Sequence, residues 1–124
     1  MKKIFFLFTI TLFINKITAQ QLTGRWYSDN SSRVYEIKQA NGYTFEAIIQ
    51  SSARKDDKQG YRVIKNLTYN IHKKRYEGVI YSVTDNKPAF VKIKFDKSNS
   101  NKIILKLERM FVMNVAINWV RAES

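Results

Sequence analysis

Apolar and polar residues alternate along most of the chain after its first twenty residues, and this alternation predicts β-strands. Short runs in which every second residue is apolar, rich in β-branched and aromatic types, are typical of half-buried strands. No stretch of this part shows a sustained helical period. The predicted strands are 26–27, 33–38, 43–50, 61–67, 75–83, 89–95, 102–107 and 112–120.

Turn-forming residues separate these runs. Asn41-Gly42 lies between the second and third, and this dipeptide is the strongest short hairpin signal. Further breaks fall at 56–58, 84–88 and 96–101. Connections this short favour an antiparallel meander.

Each predicted strand has one apolar face. The residues expected to share the inner side are Tyr35 and Ile37; Phe45, Ala47 and Ile49; Ala89, Val91, Ile93 and Phe95; Ile103, Leu105 and Leu107; and Met113, Val115, Ile117 and Trp119. A barrel or sandwich needs such an inner side. We therefore predict an all-β fold, a single antiparallel up-and-down barrel of about eight strands.

The two ends of the chain carry related motifs, Gly24-Arg25-Trp26 in the first strand and Trp119-Val120-Arg121 in the last. The first and last strands of a closed barrel are neighbours, so Trp26 should lie beside Arg121. The guanidinium could stack on the indole, a contact worth about 0.5–2 kcal/mol. Its predicted role is structural, closing the base of the barrel.

The first nineteen residues have the pattern of a secretory leader. Lys2 and Lys3 precede an apolar run of about eleven residues, and the segment ends in Ile-Thr-Ala-Gln. The run is shorter than the about twenty residues that span a bilayer. We expect cleavage after Ala19, a β-barrel domain over residues 20–124, and a periplasmic or secreted monomer that does not span a membrane.

Composition narrows the chemistry. The chain has no cysteine and one histidine, His72, which excludes thiolate metal sites, disulfides and a His-rich metal site. His72 lies in a basic turn, where nothing would orient it as the base of a triad. Asp56 and Asp57 are adjacent in a charged loop and are expected to point apart into solvent. No catalytic, metal-binding or cofactor-binding residue is predicted, and the chain is not expected to be an enzyme.

The formal net charge of +12 attracts anionic surfaces. The basic residues are spread along the chain, as a lysine-rich composition bias would also produce. Nucleic acid is not an expected partner of an exported protein. An anionic surface of the cell envelope is a possible one, through outward basic residues such as Arg75, Lys92, Lys94 and Lys106.

The end motifs resemble those of the calycins, which include lipocalins and fatty-acid-binding proteins. From Leu22 to Ala122 the chain resembles domain of unknown function family 2147, small exported bacterial proteins with a calycin-like barrel. The matching segments are GRW at Gly24, RVYEI at Arg33, DDKQGYRVIKNL at Asp56, EGVIYSVTDNK at Glu77 and WVRA at Trp119. The family's "IYDP…G" turn differs here, reading IYSVTDNK. The resemblance implies a fold and a compartment, and it assigns no catalytic residue.

The leading functional hypothesis is a non-enzymatic binder of a small apolar or amphipathic ligand. Seven tyrosines could supply flat apolar walls with orienting hydroxyls, although a barrel core also needs large β-formers. The candidate ligand-binding residues are Trp26, Tyr35, Phe45, Gly78, Trp119 and Arg121. The alternative is a structural or interaction protein with a filled core, whose basic surface binds anionic envelope components.

Overall fold

A computed structural model describes residues 22–28, 30, 32–109 and 112–122, with side chains for all of these except 112–114. The predicted leader and its cleavage point lie outside this range. The strands of the described part are β1 (Gly24–Tyr27), β2 (Arg33–Asn41), β3 (Thr44–Ser52), β4 (Arg62–Asn70), β5 (Arg75–Tyr81), β6 (Pro88–Phe95), β7 (Lys102–Arg109) and β8 (Val112–Arg121).

These strands form a closed barrel in sequence order. Every strand pairs antiparallel with the next, and β1 pairs with β8 through Trp26 opposite Arg121 and Tyr27 opposite Val120. The predicted all-β, eight-stranded, up-and-down antiparallel barrel is confirmed. The pairing of β1 with β8 closes the sheet at the two residue pairs where these strands meet, which shortens the free edges available for edge-to-edge association.

Strand ends differ from the prediction by a few residues, mostly because pairing continues to the turns. β2 extends to Asn41, which lies opposite Thr44 across a loop of Gly42 and Tyr43. Gly42 takes a positive φ of 51°, as the first loop position of a primed hairpin turn requires. β5 ends earlier than expected, because the amide of Ser82 donates to the carbonyl of Lys87 to begin a turn.

The core lies inside the barrel and follows the predicted alternation. Its largest fully buried side chains include two tryptophans, Trp26 and Trp119, and seven isoleucines and leucines of β2–β7 such as Ile37 and Leu105. In β8 burial fades toward the start of the strand: Ile117 is partly buried and Val115 is 51% exposed. The predicted Met113 side chain lies outside the described residues. The inward side chains of β8 therefore fill the core better where this strand ends than toward its beginning.

The predicted contact between the terminal strands lies where β1 begins and β8 ends. The guanidinium carbon of Arg121 lies 4.3 Å from the ring centroid of Trp26. The indole Nε1 of Trp26 donates to the carbonyl of Leu22 at 2.9 Å, and Arg121 Nη1 donates to the carbonyl of Thr23 at 3.2 Å. Because Trp26 and Leu22 are fully buried, this cluster covers the core where β1 begins and β8 ends. We call it the closed end.

Gly78 faces a bulge in β4. Asn66 has a φ of 56°, and the β4–β5 register shifts between Lys65 and Thr68. The bulge pushes backbone toward β5, so a Cβ atom on Gly78 would lie 3.0 Å from both Leu67 Cα and the Lys65 carbonyl oxygen. The space beside Gly78 is thus occupied by β4.

Replacing Gly78 with alanine should therefore strain the barrel. Its new methyl group meets backbone atoms that cannot rotate away, and overpacking of this kind costs about 1–3 kcal/mol. Urea unfolding of Gly78→Ala should show that loss, whereas Thr68→Ala, at an exposed position of the same bulged strand, should change stability by less than about 0.5 kcal/mol. Equal stabilities of the two variants would contradict the proposed close approach.

Candidate functional site

The end of the barrel at which β1 ends and β8 begins holds a cavity of about 240 Å³, here called the mouth. Strands β2, β4, β6 and β8 begin around it, and β3, β5 and β7 end there. Its lining is mostly apolar. The residues that line it are Arg33, Tyr35, Val63, Ile80, Tyr81, Ser82, Val83, Ala89, Leu107, Arg109, Ile117 and Trp119.

A pair of stacked aromatic rings forms the floor of the mouth. Tyr35 of β2 and Trp119 of β8 have ring centroids 4.1 Å apart and planes inclined by 10°. Both side chains are nearly buried, with 6% and 2% of their surface exposed. Burial raises the pKa of Tyr35 above its ordinary value and outweighs the opposing effect of the nearby Arg33 charge. The phenol therefore stays protonated and can donate a hydrogen bond.

Two arginines stand at the rim. The guanidinium of Arg33 is bound by Asp57, with Nε to Oδ2 at 2.6 Å and Nη2 to Oδ1 at 3.1 Å. This bidentate geometry fixes the planar group in one orientation. Arg109, at the end of β7, is exposed and does not take part in the ion pairs found among the described residues. An anionic group entering the mouth would meet Arg109 most readily.

The Arg33–Asp57 pair corrects one expectation. Asp57 was predicted to be solvated like its neighbour, but its side chain is only 5% exposed. It also accepts a hydrogen bond from the hydroxyl of Ser52 at 2.6 Å. The Arg33 hydrogen bonds are the main cause that lowers the pKa of Asp57 to about 2. The pair ties the β3–β4 loop to the start of β2, beside the mouth, whereas Asp56 is exposed as expected.

The mouth contains two of the six candidate ligand-binding residues, Tyr35 and Trp119. Trp26 and Arg121 lie in the closed end, where the indole has no exposed surface. Phe45 packs edge-on against Tyr76 with centroids 6.0 Å apart, and Gly78 faces the β4 bulge. The six residues therefore do not form one site.

The basic residues suggested for the alternative function do come together. Arg75, Lys92, Lys94 and Lys106 line a groove of about 480 Å³, here called the outer groove. Lys92 and Lys94 alternate along β6 with buried Val91 and Ile93, so the groove lies on the outside of the barrel.

Groups with other chemistries are dispersed over the described residues. His72 is exposed at the tip of the β4–β5 turn, as predicted. Within residues 22–28, 30, 32–109 and 112–122, no three His, Cys, Asp or Glu side chains are clustered so as to hold a metal ion. No helix in the same ranges has the length and apolar character needed to cross a membrane.

Comparisons of the chain with protein-family models, curated proteins and solved structures find no match. The resemblance to family 2147 therefore stays a prediction. The site has to be interpreted from its own geometry.

Proposed function

We propose that this chain is a non-enzymatic binding protein that holds a small amphipathic ligand in the mouth of its barrel. The observation that supports this most strongly is an apolar cavity that has the cationic Arg109 at its rim, beside the Arg33–Asp57 ion pair. The stacked Tyr35 and Trp119 offer a flat surface, and aliphatic side chains such as Ile80 and Leu107 surround it. A few orienting polar groups around an apolar cleft are typical of small-molecule sites.

The size of the mouth limits the ligand. Its 240 Å³ is below the about 300–1,000 Å³ of pockets for drug-sized molecules. The interior beneath is filled by buried side chains such as Ile49, Ile93 and Leu105. A long acyl chain would have no room inside, so the ligand that fits is small, with an apolar ring or short branch inward and an anionic group at Arg109.

The compartment is part of the same proposal. Residues 1–19 have the charge and apolar pattern of a secretory leader, and membership of family 2147 would imply the same export. We therefore propose that the ligand is met in the periplasm or outside the cell, where a cysteine-free barrel can remain folded without disulfides.

The dye anilinonaphthalene sulfonate tests this proposal, because it joins an apolar ring system to an anion and fluoresces when bound to apolar surface. The native protein should enhance its fluorescence. Arg109→Gln should weaken dye affinity by about 2- to 5-fold, since an exposed ion pair contributes roughly 0.5–1 kcal/mol. Val83→Trp, which places a large ring in the cavity, should abolish the enhancement.

The matched control is Arg62→Gln, an exposed arginine at the same end of the barrel but outside the cavity lining. It should leave the dye affinity unchanged. If Arg62→Gln and Arg109→Gln weakened binding equally, or if Val83→Trp bound the dye normally, the ligand site would not be the mouth.

A further inference from the structure

The outer groove is a second concave surface, independent of the mouth. It runs over β6 and β7 and the loop between them. Five of its lining residues are basic and one is acidic: Arg75, Lys92, Lys94, Lys97 and Lys106 against Asp96, with Phe95 and Ile104 completing the lining. Four of these basic residues, all except Lys97, are also those predicted from the sequence to form an outward basic patch. The structure shows that Lys97 lies with them and that the surface is concave.

Two basic residues of the outer groove have internal partners. Arg75 Nε lies 2.7 Å from Glu77 Oε2, and Lys92 pairs with Glu108. Asp96, the acid of the groove, lies 3.7 Å from Lys102. The ion pairs of the described residues do not include Lys94, Lys97 or Lys106. The ion pairs of the described residues therefore leave the positive charges of these three ammonium groups unbalanced, and the groove has a net positive charge.

Strand pairing places the basic side chains of β6 and β7 at regular spacings. Lys92 lies directly opposite Lys106 across β6–β7, and Lys94 lies opposite Ile104. Neighbouring strands are about 4.8 Å apart and alternate residues of one strand about 6.6 Å apart. Like charges directly opposite each other destabilise a sheet pair. Glu108 compensates the charge of Lys92, and an anion bound beside Lys106 would add to that compensation.

From this arrangement we propose that the outer groove binds a linear polyanion with closely spaced phosphate groups. A chain of phosphates that follows the groove can place successive negative charges beside these regularly spaced basic side chains. Lysine ammonium groups bind phosphate as point charges. A flat membrane surface would contact the rims of a concave groove less well than a single chain would.

Inorganic polyphosphate is the probe, and its binding to the full chain is measured by calorimetry at several salt concentrations. Affinity should fall steeply as salt rises, because exposed charges are screened. Lys94→Gln/Lys106→Gln should weaken binding by about 5- to 30-fold, from roughly 0.5–1 kcal/mol for each exposed charge pair. Bound polyphosphate should also raise the melting temperature, because a groove present only in the folded state binds it more tightly than the unfolded chain does.

The matched control is Lys38→Gln/Lys58→Gln, which removes the same charge from exposed positions outside the groove. It should bind polyphosphate nearly as well as the native protein does. An equal loss in both double variants would show attraction by net charge alone and overturn the proposal. Binding to phosphatidylglycerol vesicles but not to polyphosphate would also overturn it, as would equal affinity for free phosphate. Because the mouth is untouched, dye binding there should be the same in both variants.

Discussion

Replacement of Trp26 by alanine is expected to lower the free energy of unfolding by about 3–5 kcal/mol, the usual cost of truncating a large buried aromatic side chain. The indole has no exposed surface. Its loss would open a cavity in the closed end, remove the hydrogen bond to the Leu22 carbonyl, and leave the Arg121 guanidinium without the ring on which it stacks. The effect should be seen as a lower urea midpoint.

Tyr43→Ala provides the comparison, because this aromatic side chain is 93% exposed in the β2–β3 turn. Its stability should stay within about 0.5 kcal/mol of the native value. Trp26→Phe should be intermediate, since it keeps a ring beneath Arg121 but loses the indole donor. A Trp26→Ala protein as stable as Tyr43→Ala would contradict the role given to the closed end.

The second large effect is expected at Asp57. At neutral pH, Asp57→Asn should lower the free energy of unfolding by about 1.5–3 kcal/mol, the range for hydrogen bonds that involve charged groups. The substitution removes the carboxylate that binds Arg33 bidentately and accepts from Ser52. Asp56→Asn is the matched control, because its side chain is adjacent in sequence and exposed, and it should be nearly neutral.

Acidification should reveal the same pair. The pKa of Asp57 is about 2 in the folded protein, below its ordinary 3.8, so the folded state favours the charged form. Its contribution is fully present above the unfolded pKa and is lost as the pH falls from about 5 to about 2. The stability gap between the native protein and Asp57→Asn should therefore narrow over this window. A gap that is constant from pH 6 to pH 2 would refute the ion pair.

The same acid titration contains other carboxylates whose pKa is lowered. Hydrogen bonds lower the pKa of Glu77, chiefly from Arg75, of Asp85, chiefly from the Lys87 amide, and of Asp96, chiefly from Ser98. They are present in both proteins, so they cancel when the native protein and Asp57→Asn are compared. Only the difference between the two curves reports on Asp57.

The barrel was predictable because apolar and polar residues alternate along most of its strands. Side chains on a strand have a period of two, so Val91 and Ile93 could be placed inward and Lys92 and Lys94 outward from the sequence alone. The contact of Trp26 with Arg121 followed from barrel closure, which makes the first and last strands neighbours. Both expectations depend only on local pattern and topology.

The mouth was harder to predict, because burial along one inward row is not uniform. Ile117 and Trp119 share a face, but whether a cavity lies above them depends on how far the barrel is filled at that level. One feature of the sequence does indicate which residues could line the mouth. Ala89 lies near the beginning of β6 and Leu107 near the end of β7, so both lie at the end of the barrel where β8 begins. The place of Arg33 and Arg109 at the rim of the mouth could not be predicted, because nothing in the sequence shows that two arginines so far apart along the chain lie beside one cavity.

The roles of Asp57 and Gly78 could not be predicted from the local sequence pattern, because each depends on residues in another strand. The carboxylate of Asp57 looked like one of several charges in a loop, and its partner Arg33 is 24 residues away. Gly78 is required by a bulge around Asn66, whose positive φ interrupts a segment that otherwise alternates as a strand. Long-range pairs and bulges depend on the assembled sheet.

Native mass spectrometry of the protein purified gently from the cells that make it tests the mouth as a ligand site most directly. We predict a reproducible extra mass that organic extraction removes, present in the native protein and in Lys94→Gln/Lys106→Gln, and missing from Val83→Trp. A ligand-free mass for the native protein, or the same extra mass in Val83→Trp, would contradict a binding site in the mouth.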